Sequence, residues 1–166
     1  MLRIDYRRVA AALLTVAAPA SALILSAPAH AIVPGSTGAV NVDQSGLALR
    51  GYDPVAYFDT GKPTMGVATL EATFDGARYL FATEEHRAAF LADPAKYVPQ
   101  FGGFCSVGTS FGEKVDADPT TGKVVNDRLY VNYSAKAQAL FDKDVSGTIS
   151  RAETNWPEVK GKAQQQ

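Results

Sequence analysis

Two side chains carry most of the reactive chemistry in this sequence. His86 and Cys105 are the one histidine and the one cysteine that lie beyond the first thirty-one residues. An imidazole and a thiol together suit a soft or borderline metal ion such as copper, with Asp53 or Tyr52 completing the set. A closed zinc site wants four donors, and the chain offers too few nitrogen and sulfur ligands for one. A second chemistry makes Cys105 a nucleophile with His86 as its base. Cys105 follows Gly102-Gly103 near an expected helix start, which favours a thiolate. The sequence shows no third orienting group and no oxyanion motif for it. The plainer reading is a histidine packed beside Phe90 and a buried cysteine acting as a small hydrophobe. A third chemistry lies further on. Asp142, Asp144, Ser146, Thr148 and Glu153, with Gly147 at the turn position, follow the spacing of an EF-hand calcium loop. Against it, Trp156-Pro157 leaves almost no exiting helix, and no second hand follows.

The elements that would position these residues are legible in outline. Asp53-Pro54 reads as a cap and first residue of a short helical turn. Val67 to Phe74 and Ala77 to Phe81 read as strands joined at Asp75-Gly76, a two-residue hairpin signal. Thr83 caps a helix whose first turn holds Glu84 and Glu85, where the helix dipole favours acids. His86 and Phe90, four residues apart, share a face of that helix. Asp93-Pro94 starts another turn through Tyr97. Phe104 to Phe111 reads as helical, with Phe104, Val107 and Phe111 on one side. Asp116 to Gly122 reads as a loop. Lys123–Val125 and Leu129–Tyr133 flank Asn126-Asp127 in a second hairpin. A helix from Ser134 to Asp142 follows, then a last helical piece ending near Trp156-Pro157. No internal repeat is apparent. The fold class expected is α+β: a small antiparallel sheet from two β-hairpins with three or four short helices packed on it. Seven tyrosines and eight phenylalanines supply its core.

Residues 1–31 read as a signal peptide. Arg3, Arg7 and Arg8 precede an uncharged Ala/Leu/Val-rich run, and Ala29-His30-Ala31 is a small-x-small cleavage site. The expected location is exported, periplasmic or extracellular. Arg7-Arg8 raises a twin-arginine signal, with general secretion the default. No stable membrane span is expected after cleavage. Removing three basic residues and one acidic residue from 16 basic and 17 acidic leaves a net charge of −3. That balance, with no basic patch interleaved with aromatics, gives no expectation of a nucleic-acid partner. Residues 32–50 read as a flexible lead-in, 51–159 as the domain and 160–166 as a frayed tail.

Six short stretches occur in order: Gly51-Tyr52-Asp53-Pro54-Val55-Ala56-Tyr57-Phe58, Tyr79-Leu80-Phe81-Ala82-Thr83, Asp93-Pro94-Ala95-Lys96-Tyr97, Gly102-Gly103-Phe104-Cys105, Leu129-Tyr130-Val131-Asn132-Tyr133 and Asn155-Trp156-Pro157. Together they resemble the exported YHS-domain proteins, from Gly51 to about Val159. The resemblance implies a small binding module, since YHS domains in heavy-metal-transporting ATPases and beside some monooxygenases are read as metal-binding. The metal-type pattern carries sulfur where this chain has Ala56, Ala82 and His86, so its soft thiolate cage cannot be assembled here. The expectation is a non-enzymatic module, with a metal ion such as copper as the leading ligand and His86, Cys105 and Asp53 as candidate ligands. A small-ligand or thiol-based activity at Cys105, and calcium at Asp142–Glu153, are the alternatives. A protein partner is not specified.

Overall fold

The computed structural model describes residues 37–165. The signal peptide expected over residues 1–31 lies outside them. No helix among the described residues is long and apolar enough to cross a membrane.

The fold is α+β. Strands β1 (Val67–Phe74) and β2 (Ala77–Phe81) form one antiparallel hairpin, and β3 (Asp118–Val125) and β4 (Arg128–Asn132) form another. Both turns, Asp75-Gly76 and Asn126-Asp127, have positive φ at each residue, which matches the right-handed strand twist. The hairpins stay apart as two two-stranded sheets. Among the described residues six α-helices accompany them: α1 (Ala56–Asp59), α2 (Glu84–Ala92), α3 (Pro94–Tyr97), α4 (Ser106–Ser110), α5 (Ala135–Lys143) and α6 (Val145–Val159).

The elements recur with a constant spacing. β1 begins at Val67 and β3 at Asp118, 51 residues on, and β2/β4, α2/α5 and the starts of α3/α6 keep the same offset. The strand registers repeat too. Val67 pairs with Phe81 as Asp118 does with Asn132, and Ala72 pairs with Tyr79 as Lys123 does with Tyr130. Ahead of α1 and α4 the spacing slips by one residue. Tyr52 N–H donates to Leu49 C=O, as Phe104 N–H does to Phe101. The next residues, Asp53 and Cys105, donate to Thr64 and Val115. The chain is therefore an internal duplication, contrary to the expectation of no repeat. Few side chains betray it: Tyr79/Tyr130, Phe90/Phe141, Asp93/Asp144 and the caps Thr83/Ser134.

Each half has its own core. Tyr79, Phe81 and Phe90 gather in the first, with ring centroids 5.0–5.1 Å from Phe90. Phe101, Cys105, Tyr130, Phe141 and Ala152 gather in the second. Alternation along β4 turns Tyr130 into that second core and Leu129 and Val131 to the opposite face, where Leu49, Tyr57 and Ala117 meet them. This third cluster joins the halves. Tyr57 O–H donates to Pro119 C=O at 2.7 Å. Gly122 lacks a side chain where the Tyr57 ring fills the space a Cβ would take.

Several segments depart from expectation. β3 starts at Asp118, inside the stretch read as a loop, because a register shift between Asp118 and Lys123 accommodates its turn-forming residues. Phe111 is not in line with buried Phe104; it caps α4 and is 73% exposed. α6 continues through Pro157 to Val159, losing one backbone hydrogen bond near its end. In the lead-in, Leu47, Ala48 and Leu49 are buried, and Leu47 bridges to Arg78 of β2. The tail is likewise tied down. The buried Lys114 ammonium donates to the carbonyls of Gly38, Lys160 and Lys162 at 2.6, 3.1 and 3.1 Å, and lies over the Phe104 ring.

Candidate functional site

Asp53 lies just before α1 and is fully buried. A buried carboxylate needs partners on both oxygens. Oδ1 accepts from the N–H groups of Val55 (2.8 Å) and Ala56 (3.4 Å). Asp53 thus closes a turn ahead of α1, which starts at Ala56, two residues later than Asp53-Pro54 predicts. Oδ2 accepts from Ala82 N–H at 2.8 Å, between β2 and α2, and from His86 Nδ1 at 2.6 Å. An ionised carboxylate only accepts, so Nδ1 carries the proton and Nε2 is left for other partners.

His86 is placed by its helix. Thr83 Oγ1 accepts from His86 N–H at 3.1 Å, which fixes the first turn of α2, while Phe90 on the same helix anchors it in the core. The ring bridges α2 to α1: Nε2 lies 3.4 Å from Asp59 Oδ2, and the side chain is 15% exposed. Partial burial pulls the imidazole pKa down. The hydrogen bonds and charges of Asp53 and Asp59 outweigh it, so the pKa is raised above the ordinary histidine value. His86 and Asp59 line an open cleft of about 460 Å³, whose walls also include Glu85, Lys96, Phe58 and Tyr97. Phe58 and Tyr97 meet edge to face at 5.1 Å.

Of the residues expected to act together, the structure unites Asp53 and His86 and places Cys105 elsewhere. Cys105 is 2% exposed in the second core. Its Sγ accepts from Gly108 N–H at 3.3 Å and lies 3.8 Å from Asn132 Oδ1. It shares no partner with His86. Among the described residues, no group of three or more His, Cys, Asp or Glu side chains is arranged to hold a metal ion.

The stretch read as a calcium loop is helical. Asp142 lies in the last turn of α5 and pairs with Lys123 at 2.6 Å; Asp144 is the junction, where Oδ1 accepts from Gly147 N–H at 3.0 Å and Oδ2 pairs with Arg151 at 3.0 Å. Ser146, Thr148 and Glu153 lie along α6, with Thr148 buried and Glu153 exposed. An EF-hand needs these residues wrapped round one point, and a helix spreads them along an axis.

Sequence reasoning missed Asp59 and the cleft walls. Asp59 has no motif of its own; only the folding of α1 against α2 puts it beside His86. The duplication provides an internal reference. In the second half Cys105 stands for Asp53 and Ala137 for His86, yet the helix is still capped and the hairpin keeps its register. The buried Asp53–His86 pair is therefore not a requirement of the fold.

Comparison of the chain with family models, curated proteins and solved structures returns no match.

Proposed function

We propose that this is an exported, non-enzymatic binding module of YHS type whose ligand docks in the α1–α2–α3 cleft, anchored on Nε2 of His86. The observation that carries the reading is the Asp53–His86 pair. A buried carboxylate fixes the tautomer and orientation of an imidazole that lines an open cleft, with its other nitrogen beside Asp59. Carboxylate–histidine pairs of this kind orient metal ligands and raise their basicity. A further point supports the locus. The three positions where the metal-type pattern carries sulfur, Ala56, Ala82 and His86, all contact the Asp53 carboxylate.

The metal reading narrows accordingly. With Cys105 in the other half, the donors on hand are His86 Nε2 and the Asp59 carboxylate. A nitrogen and an oxygen donor suit a borderline divalent ion such as Cu²⁺ better than Cu(I). Two side chains make an open, modest-affinity site whose other positions fall to water or an organic ligand. The leader-like residues 1–31 support an exported location.

Isothermal titration of the metal-free protein with Cu²⁺ tests this. One ion per chain is expected, lost in His86→Gln and kept in Cys105→Ser. The reverse pattern would return the site to the thiol, and no binding at millimolar Cu²⁺ would end the metal reading.

A further inference from the structure

The duplication makes two clefts, and their linings differ. A second cleft of about 230 Å³ lies among α4, α5 and α6. It is the counterpart of the His86 cleft, because Ser110, Leu140 and Thr148 of its wall stand 51 residues after Asp59, Ala89 and Tyr97 of the first. The chemistry has been exchanged. Where the first cleft presents an imidazole and carboxylates, the second is walled by Val107, Phe111 and Leu140. Phe111 and Leu140 are 73% and 47% exposed. Phe111 occupies the position of Thr60, the residue that follows α1 as Phe111 follows α4. An apolar residue there adds nothing to the helix end and costs water-exposed area. The rim is charged. Lys143, Asp144 and Arg151 are its charged lining residues, an excess of one positive charge. Arg151 is shared with Asp144, whereas Lys143 makes no ion pair among the described residues.

We propose that this second cleft binds a free medium-chain carboxylate, with the alkyl chain against Phe111, Leu140 and Val107 and the carboxylate at Lys143 and Arg151. The volume is below the roughly 300–1,000 Å³ of drug-sized pockets, which suits one short chain rather than a ring system or a long acyl tail. The basic excess at the rim selects an anionic head over a neutral or cationic one. The site is independent of the His86 cleft and stands or falls without it.

The test is titration of the purified protein with octanoate, followed by calorimetry and by amide chemical shifts, with octan-1-ol and octylamine as matched probes. Octanoate is expected to shift residues of α4, α5 and the start of α6, and to bind more tightly than either probe. Phe111→Ser should weaken octanoate roughly tenfold or more through lost apolar contact. Lys143→Glu should weaken it several-fold and flatten its salt dependence. Both positions are exposed, so the variants should melt with the wild type, and His86→Gln should bind octanoate unchanged. Equal binding of octan-1-ol, an unaltered affinity in Phe111→Ser, or no shift at millimolar octanoate would each overturn the proposal. So would self-association, or sedimentation with phosphatidylglycerol vesicles, that Phe111→Ser abolishes while octanoate has no effect.

Discussion

Replacing Asp53 with asparagine removes one charge from the centre of the first half and changes almost no volume. The asparagine oxygen can still accept from Val55 and Ala56 N–H. Its amide then faces Ala82 N–H and His86 Nδ1, two groups that donate to Oδ2 in the native chain. His86 can move its proton to Nε2 and accept instead. Ala82 cannot, and a buried donor without a partner costs about 1–3 kcal/mol. Adding the loss of a charge-assisted bond, the expected destabilisation is about 2–3 kcal/mol, or a fall in Tm of roughly 6–12 °C for a domain of this size. The pH dependence should change as well. The native His86 pKa is raised, so protonated His86 stabilises the fold. That contribution is fully present below the unfolded value of about 6.5 and is lost as pH rises through the folded value. In Asp53→Asn most of this loss should vanish, because the carboxylate that raised the pKa is gone. Urea denaturation of metal-free protein at a series of pH values, with an NMR titration of the His86 ring, measures both effects. A variant with wild-type stability and an unmoved His86 titration would refute the assignment of Asp53 as the buried acceptor at this site.

Three further outcomes follow from the second half. Cys105 is buried and its sulfur engaged at the start of α4, so iodoacetamide should modify it slowly in the native protein and rapidly in urea; rapid native modification would reopen thiol chemistry. Millimolar calcium should leave Tm unchanged, whereas Asp144→Ala should cost about 1 kcal/mol by removing the α6 cap; a calcium-dependent rise in Tm abolished by Glu153→Gln would contradict the helical reading.

Much of the local structure was legible. Thr83, Asp93, Ser134 and the Asp75-Gly76 and Asn126-Asp127 turns marked element boundaries within a residue of those observed. Capping and turn chemistry act over three or four residues, so the sequence displays both partners at once. Asp142–Glu153 shows the reverse case. Its oxygen donors match a calcium loop, but Asp144 caps a helix as readily as it ligates an ion, and the apolar side chains of α6 packed on the second core favour helix. The duplication escaped notice because its halves share backbone geometry and only a few core, capping and aromatic residues.

The sequence by itself determined the α+β class, both hairpins, the starts of α2, α3 and α5, and the hydrogen bonding of Asp53 to the turn that leads into α1. Those features rest on side chains and backbone groups close together along the chain. Only the tertiary structure decided that Asp53 reaches His86, 33 positions later, and that Cys105 does not join them. That division came from how each half packs its own hairpin and helices. The first half closes round Phe90 and brings α2 onto α1; the second closes round Phe141 and buries the thiol within it. Contacts of this range depend on which apolar faces meet, and no local motif in either segment records it.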